Sequence, residues 1–234
     1  MVKLSGEALC ASEGHGVDNE ALKTIARELK AAFDLGTQIV LVVGGGNFVR
    51  GSQLQSDVVH RASADYMGML ATVMNAIALQ EVLENSRVPA RIQSSLRIDA
   101  VAEPFARRRA IRHLEKGHLL IMAGGTGKPY FTTDSGAAQG ALEMGCDVLL
   151  KATKVDGVYS ADPLKDPNAT RYDSLTFQQV LDGHESIKVM DMAAFSLCME
   201  NNLPIVVFDL FKPGNIVEAV RGGQVGTRIS RDGK

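Results

Sequence analysis

No stretch of this 234-residue chain approaches the roughly 20 consecutive apolar residues of a membrane-spanning helix. Its first residues, Met1-Val2-Lys3-Leu4-Ser5-Gly6, contain no apolar core of a signal peptide. Cysteine is scarce. Cys10, Cys146 and Cys198 are odd in number and form no C-x-x-C pair, so they read as reduced thiols of a cytoplasmic protein rather than a disulfide framework. The histidines (His15, His60, His113, His118, His184) lack metal-ligand spacing, and no metal held by the protein's own side chains is expected. Net charge is only −2, so no bulk field draws nucleic acid or an anionic membrane, and a bound anion must be held by local charge. The basic run Arg107, Arg108, Arg109 and Arg112 has no interleaved aromatic residues and reads as a solvated face. Two common phosphate signatures are also missing: there is no G-x-x-x-x-G-K-[ST] and no G-x-G-x-x-G.

What is present is an alternation of strands and helices. Val2 to Leu4 reads as a strand ending in a loop, and Asp18 caps a helix over 19–35 with apolar Leu22, Ile25, Ala26 and Leu29 at helical spacing. The continuous apolar run at 38–43 is a strand covered on both faces, and it ends in Gly44-Gly45-Gly46. A long helix is expected over 63–85. Met67, Leu70, Ala71, Met74, Ile77 and Ala78 form its apolar stripe, and Asp65, Gly68, Thr72 and Asn75 form a small polar one. The polar stripe is either a solvated face or a face turned to a ligand or a twin subunit. Further strands are expected at 91–93, 119–122, 148–151, 205–208 and 226–229, with helices over 104–116, 134–144, 176–181, 191–201 and 216–220. Val155-Asp156-Gly157-Val158 reads as a tight hairpin turn. The fold class expected is a three-layer αβα sandwich around a mostly parallel sheet, in one domain over 1–234. Ligands of such sheets lie at the carboxyl ends of the strands, where the glycine loops fall.

Each of two glycine-bearing loops has its own lysine. The first is Lys3-Leu4-Ser5-Gly6 together with Gly44-Gly45-Gly46-Asn47; the second is Gly124-Gly125-Thr126-Gly127 followed by Lys151-Ala152-Thr153-Lys154. Glycine lets backbone N–H groups approach phosphate oxygens, and lysine brings a point charge to them. Two such assemblies in one small chain fit two phosphorylated ligands held face to face, the geometry of a phosphoryl transferase. Taken singly, Lys3 and Arg50 read equally as exposed cations, Asp134 as a helix cap, and Tyr159 as a strand aromatic.

The ordered combination is far more specific: K-L-S-G, then G-G-G-N-x-x-R-G, G-T-G-x-P-x-x-T-T-D and K-A-T-K-V-D-G-V-Y-x-x-D-P. It resembles the bacterial uridylate kinases of the amino-acid kinase superfamily, from Lys3 to about Ile229, and the likeness includes Asp65 to Asn75 and Lys188-Val189-Met190-Asp191. The resemblance implies transfer of the ATP γ-phosphoryl group to UMP with Mg²⁺, in pyrimidine nucleotide biosynthesis. It also implies a homohexamer built from dimers, GTP as activator and UTP as inhibitor. It divides the domain into an acceptor part at about 1–150 and an ATP part at about 151–234.

Residue by residue, the resemblance implies that Lys3, Leu4, Ser5, Gly6, Gly46 and Arg50 form the donor-phosphate site, and that Thr153, Tyr159 and Asp162 contact adenine and ribose. Gly45 then touches the acceptor phosphate and Asp65 its ribose. Thr126, Gly127, Lys128, Pro129, Tyr130, Phe131, Thr132 and Thr133 surround the phosphate and uracil. Asp134 orients the lysines, Lys3 and Lys151, and Arg50 reaches phosphate where the substrates meet. The loop of Ala11, Ser12, Glu13, Gly14, His15 and Gly16 resembles one tied to GTP. Two alternatives stay open: a sibling kinase acting on a carboxylate or carbamate, and a nucleotide-binding protein without turnover.

Overall fold

The computed structural model describes residues 1–10, 14–49, 58–161, 163, 165–183 and 189–233. In chain order its elements are β1 (Val2–Leu4), a 3-10 turn (Gly6–Leu9), α1 (Asn19–Phe33), β2 (Val40–Val43), α2 (Arg61–Asn85), β3 (Ala90–Ser94), β4 (Glu103–Pro104), α3 (Arg107–Glu115) and β5 (Leu119–Ala123). There follow α4 (Thr133–Met144), β6 (Leu149–Thr153), β7 (Val158–Tyr159), β8 (Arg171–Tyr172), β9 (Ser174–Thr176), α5 (Phe177–Asp182), α6 (Met192–Glu200), β10 (Ile205–Asp209), α7 (Asn215–Val220) and β11 (Thr227–Ser230).

A nine-stranded sheet has the order β4-β3-β5-β2-β1-β6-β10-β11-β9. Every pairing from β4 to β10 is parallel, and β11 turns antiparallel against β10. Alternation along the strands divides the core into two layers. Leu41 and Val43 pack with α1, α2 and α7 on one face, while Val40 and Val42 pack with α3, α4 and α6 on the other. This is the three-layer α/β sandwich that the sequence predicts. The Asp18 cap is also present, its carboxylate accepting from Ala21 N at 2.8 Å.

Two local expectations are corrected. Residues 155–158 do not join two strands of one hairpin: β7 pairs with β8 in a separate two-stranded sheet. The reason is that β6 is already flanked by β1 and β10 and offers no free edge. The third helix starts at Arg107 rather than Pro104, because Glu103 and Pro104 form a short outer strand, a place where proline's missing N–H is tolerated.

For α2 the structure decides between the two readings of its polar stripe. Its Met67, Leu70, Met74 and Ile77 are exposed, with Met74 at 51%, whereas Thr72 (1%) and Asn75 (0%) are buried. The core contacts come instead from Val73, Ala76, Leu79 and Leu83. The small polar stripe therefore faces inward, toward the glycine loops; of the apolar stripe Met67, Leu70, Met74 and Ile77 face out, while Ala71 is buried and Ala78 packs on the core. At 25 residues α2 is long enough to cross a bilayer, but these buried positions make it a core helix of the sandwich.

Candidate active site

Strands β5, β2, β1 and β6 lie side by side in that order, and each runs at its carboxyl end into one of the segments marked above. The register does more than gather them. Lys3 is the direct partner of Lys151 across β1 and β6. Val2, Leu4, Leu150 and Ala152 all sink into the α1 and α2 layer. Alternation then turns both lysines to the opposite face, beneath α4.

Asp134, in the first turn of α4, meets them there. Lys151 Nζ donates to its Oδ2 at 2.6 Å, and Lys3 Nζ stands 2.8 Å from its Oδ1. Lys3 Nζ is the ion-pair partner of Oδ1, which accepts from no other group among the described residues. Burial pushes the Asp134 carboxyl up, but the two ammoniums outweigh it and hold the group below the ordinary carboxylate value. Burial also pulls Lys151 below the ordinary lysine value; Asp134 opposes this and the charge of Lys3 adds to it. Two ammoniums thus share the one carboxylate of Asp134 at the cleft floor, which leaves each with N–H donors for an anion.

Asp134 does not cap its helix. Thr132 does, accepting from Asp134 N at 3.0 Å and Ser135 N at 3.4 Å, so the Asp134 side chain is left for the lysines. Two further groups, absent from the sequence-based set, brace this corner. Val189 O accepts from Lys151 Nζ at 2.6 Å. Asp191, the cap of α6, accepts from the Thr132 hydroxyl and from Ser135 Oγ.

The glycine loops close over the lysines. A Cβ on Gly6 would lie 2.6 Å from Asn47 Oδ1 and 2.7 Å from Gly46 N, so the two loops abut with no room for a side chain. Gly45 is pressed equally hard on α2, 2.5 Å from Gly68 O by the same measure. Thr72 Oγ1 accepts from Gly124 N at 2.7 Å and thereby ties α2 to the other loop.

Two cavities meet at Lys3, Ser5 and Glu7. One, of about 380 Å³, lies between the two glycine loops and is walled by Asp65, Thr126, Lys128 and Phe131. The other, of about 320 Å³, extends over Lys151, Thr153 and Lys154 to Leu210 and Phe211. Gly45, Gly46, Thr132 and Thr133 also line the first cavity. Asp65 sits on its rim, held by Arg61 Nε at 2.9 Å and by Tyr130 N at 2.9 Å. Arg61 is a wall residue that the motifs did not reveal; its signal is the i, i+4 spacing from Asp65.

Other predicted residues stand back from both cavities. Leu4 is buried and takes part through its carbonyl, which accepts from Gly44 N at 2.9 Å. Gly127, Pro129 and Tyr130 shape the second glycine loop without lining the cavity. Tyr159 lies on β7 with its hydroxyl given to Asp156 Oδ1 at 2.6 Å, outside both linings. Gly14, His15 and Gly16 also lie outside them, with Gly16 N–H bonded to Asn47 O at 2.9 Å. Arg50, Ala11, Ser12, Glu13 and Asp162 lie outside the described residues. Burial pushes the Cys198 thiol up to about 12, so it is no nucleophile.

The model of the amino acid kinase family matches residues 1–209. The chain belongs to the amino acid kinase family. Among solved structures, the UMP kinase from Bacillus anthracis is 38% identical, with 99% of this chain and 95% of that one covered and a TM-score of 0.95. The UMP kinase from Ureaplasma parvum is 34% identical over 98% of this chain and 97% of its own, with a TM-score of 0.91. The uridylate kinase from Archaeoglobus fulgidus is 29% identical over 98% and 99%, with a TM-score of 0.72. These amino acid kinase relatives match the chain almost end to end, so its fold and its carboxyl-end cleft are those of a kinase family.

Replacing Asp134 by asparagine strands two buried ammoniums beside each other. A loss of about 3–5 kcal/mol is expected, as for other broken buried ion pairs, read by urea denaturation at pH 7. The folded pKa is depressed, so this advantage of the wild type is present above the ordinary value of 3.8 and fades as pH falls below it through the folded pKa. Equal stability of the two proteins at pH 7 would remove Asp134 from this role.

Proposed function

We propose that the chain is a UMP kinase, transferring the γ-phosphoryl group of ATP to UMP to give UDP in pyrimidine nucleotide biosynthesis. The observation that carries the reading is the Lys3–Asp134–Lys151 cluster where two cavities meet, one between the glycine loops and lined by Lys3, the other lined by Lys3 and Lys151. In this reading ATP enters over Thr153, with adenine toward Leu210 and Phe211, and UMP occupies the cavity walled by Asp65 and Phe131. Residues 1–150 form the acceptor part and residues 151–234 the ATP part, with Tyr159 and Asp162 on the ATP side. Support for a nucleotide acceptor comes from the cavity's size and from Asp65, whose carboxylate retains lone pairs for ribose hydroxyls beyond those given to Arg61 and Tyr130.

The acceptor needs no general base. A phosphate monoester has a second pKa near 6 and is mostly a dianion at neutral pH. The obstacle is repulsion, about 4 kcal/mol for two unit charges 4 Å apart at an effective dielectric near 20. Lys3 and Lys151 oppose that repulsion, Asp134 fixes where they stand, and the loop amides align the two substrates. Arg50 is assigned to the phosphates where they meet. Mg²⁺ arrives with ATP as part of the substrate. Asp134 is already committed to two lysines, so phosphate and water oxygens are the natural ligands of the ion.

The outward stripe of Met67, Leu70, Met74 and Ile77 is assigned to a second copy, giving dimers and, from three of them, a hexamer. The enzyme is assigned to the cytoplasm, with GTP as activator through the 11–16 loop and UTP as inhibitor.

A coupled ADP-release assay with UMP, CMP, dUMP, carbamate and N-acetylglutamate tests the acceptor, and added GTP and UTP test the effectors. UMP is expected to lead by more than about tenfold, or 1.4 kcal/mol. Equal rates for all acceptors, or ADP release with none, would refute the assignment. For the assembly, Leu70→Glu is expected to lower the sedimentation coefficient to that of a smaller species. An unchanged coefficient would place the subunit contact elsewhere.

A further inference from the structure

We propose that Asn75, acting with Asn47, is a positioning residue for phosphoryl transfer: the buried amide pair orients the loop of Gly44, Gly45 and Gly46 from behind. The inference rests on the transferase reading above and adds to it a part played by the inner face of α2.

Asn75 is fully buried and Asn47 is 2% exposed. Their amides bond reciprocally: Asn75 Nδ2 donates to Asn47 Oδ1 at 2.7 Å, and Asn47 Nδ2 donates to Asn75 Oδ1 at 2.9 Å. The remaining N–H of Asn75 goes to Gly44 O at 2.7 Å, and that of Asn47 to Gly16 O at 2.7 Å. Each amide has two N–H donors, so the pair uses all of them. Its outer partners are both carbonyls, which cannot donate. Flipping either amide would set oxygen against oxygen, so the orientation has one solution.

That solution fixes a peptide plane. The peptide joining Gly44 to Gly45 is planar and trans, so its N–H points opposite to its C=O. Holding Gly44 O toward Asn75 therefore aims Gly45 N–H away from α2. The pair also touches the donor side, since a Cβ on Gly6 would lie 2.6 Å from Asn47 Oδ1. Asn47 thus abuts Gly6, beside the Gly44 N–H bond to Leu4 O that joins the loop after β1 to the loop after β2. Neither asparagine lines the cavities, so this is action through the loop and not contact with substrate. An apolar pair would fill the same space without choosing a direction for Gly44 O.

Asn75→Asp keeps the shape and replaces two donors by an oxygen facing two oxygens. In protein shown to be folded by circular dichroism, kcat is expected to fall by about 10²-fold, the scale of a small misplacement of reacting groups. KM for both nucleotides is expected to rise, and amide exchange of the peptide at 43–49 to quicken by more than about tenfold. A role in stability alone would lower the melting temperature and leave both KM values and the loop's exchange unchanged. That result, or wild-type kcat in folded Asn75→Asp, would overturn the proposal. Should Asn75→Asp not fold, Asn47→Asp is measured in the same way and the same outcomes decide. Wild-type protein assayed alongside separates the two claims. If it turns over ATP without favouring UMP, the acceptor assignment fails. The loop's exchange and calorimetric ADP binding by the variants still decide whether the pair positions the loop.

Discussion

A single carboxylate shared by two lysines is the contact on which the cleft depends. Asp134 holds Lys3 and Lys151 at the floor of the cleft, and the group is nearly buried. Ammoniums this close repel, and Lys151 is already depressed by burial and by its neighbour's charge. Without the carboxylate the two would part or one would lose its proton. With it, they stay adjacent, mostly shielded from water, and keep N–H donors for an anion. The central part of the fold serves this placement. Parallel register brings Lys3 beside Lys151, alternation turns both toward α4, and Thr132 takes over the capping duty that would otherwise occupy Asp134.

The same economy appears in α2, where Thr72 and Asn75 are buried while Met67, Leu70, Met74 and Ile77 are exposed. Its small polar residues are inside because the glycine loops are there. Gly45 packs on Gly68, Thr72 holds the amide of Gly124, and Asn75 holds the carbonyl of Gly44. Backbone groups in a buried loop must be paired, and α2 supplies partners that an apolar stripe could not. Met67, Leu70, Met74 and Ile77 are consequently left outward.

The sandwich was legible in the sequence because buried parallel strands leave continuous apolar runs, as at Val40–Val43 and Leu119–Ala123, and because Asp18 and the glycines punctuate them. Lys3, Asp134 and Lys151 were legible as members of ordered motifs, though no spacing along the chain shows that they touch. What remained hidden depends on pairing across long separations. Residues 155–158 read as a hairpin because the local signal is a turn, and only the sheet order shows that β6 has no free edge. Asp191 caps α6, but its other bonds reach back to Thr132 and Ser135, far along the chain. The sequence left the polar face of α2 open for a related reason: periodicity separates two stripes without stating which one is inside.

The account requires both nucleotides to lie end to end over the Lys3–Asp134–Lys151 cluster. The most direct test is calorimetric titration with a uridine and an adenosine joined through a linear oligophosphate. One molecule should bind per chain, it should compete with ATP and with UMP alike, and Lys3→Met should weaken it by more than about tenfold, or 1.4 kcal/mol. Binding that displaces only one of the two nucleotides, or that is indifferent to Lys3, would contradict a shared cleft.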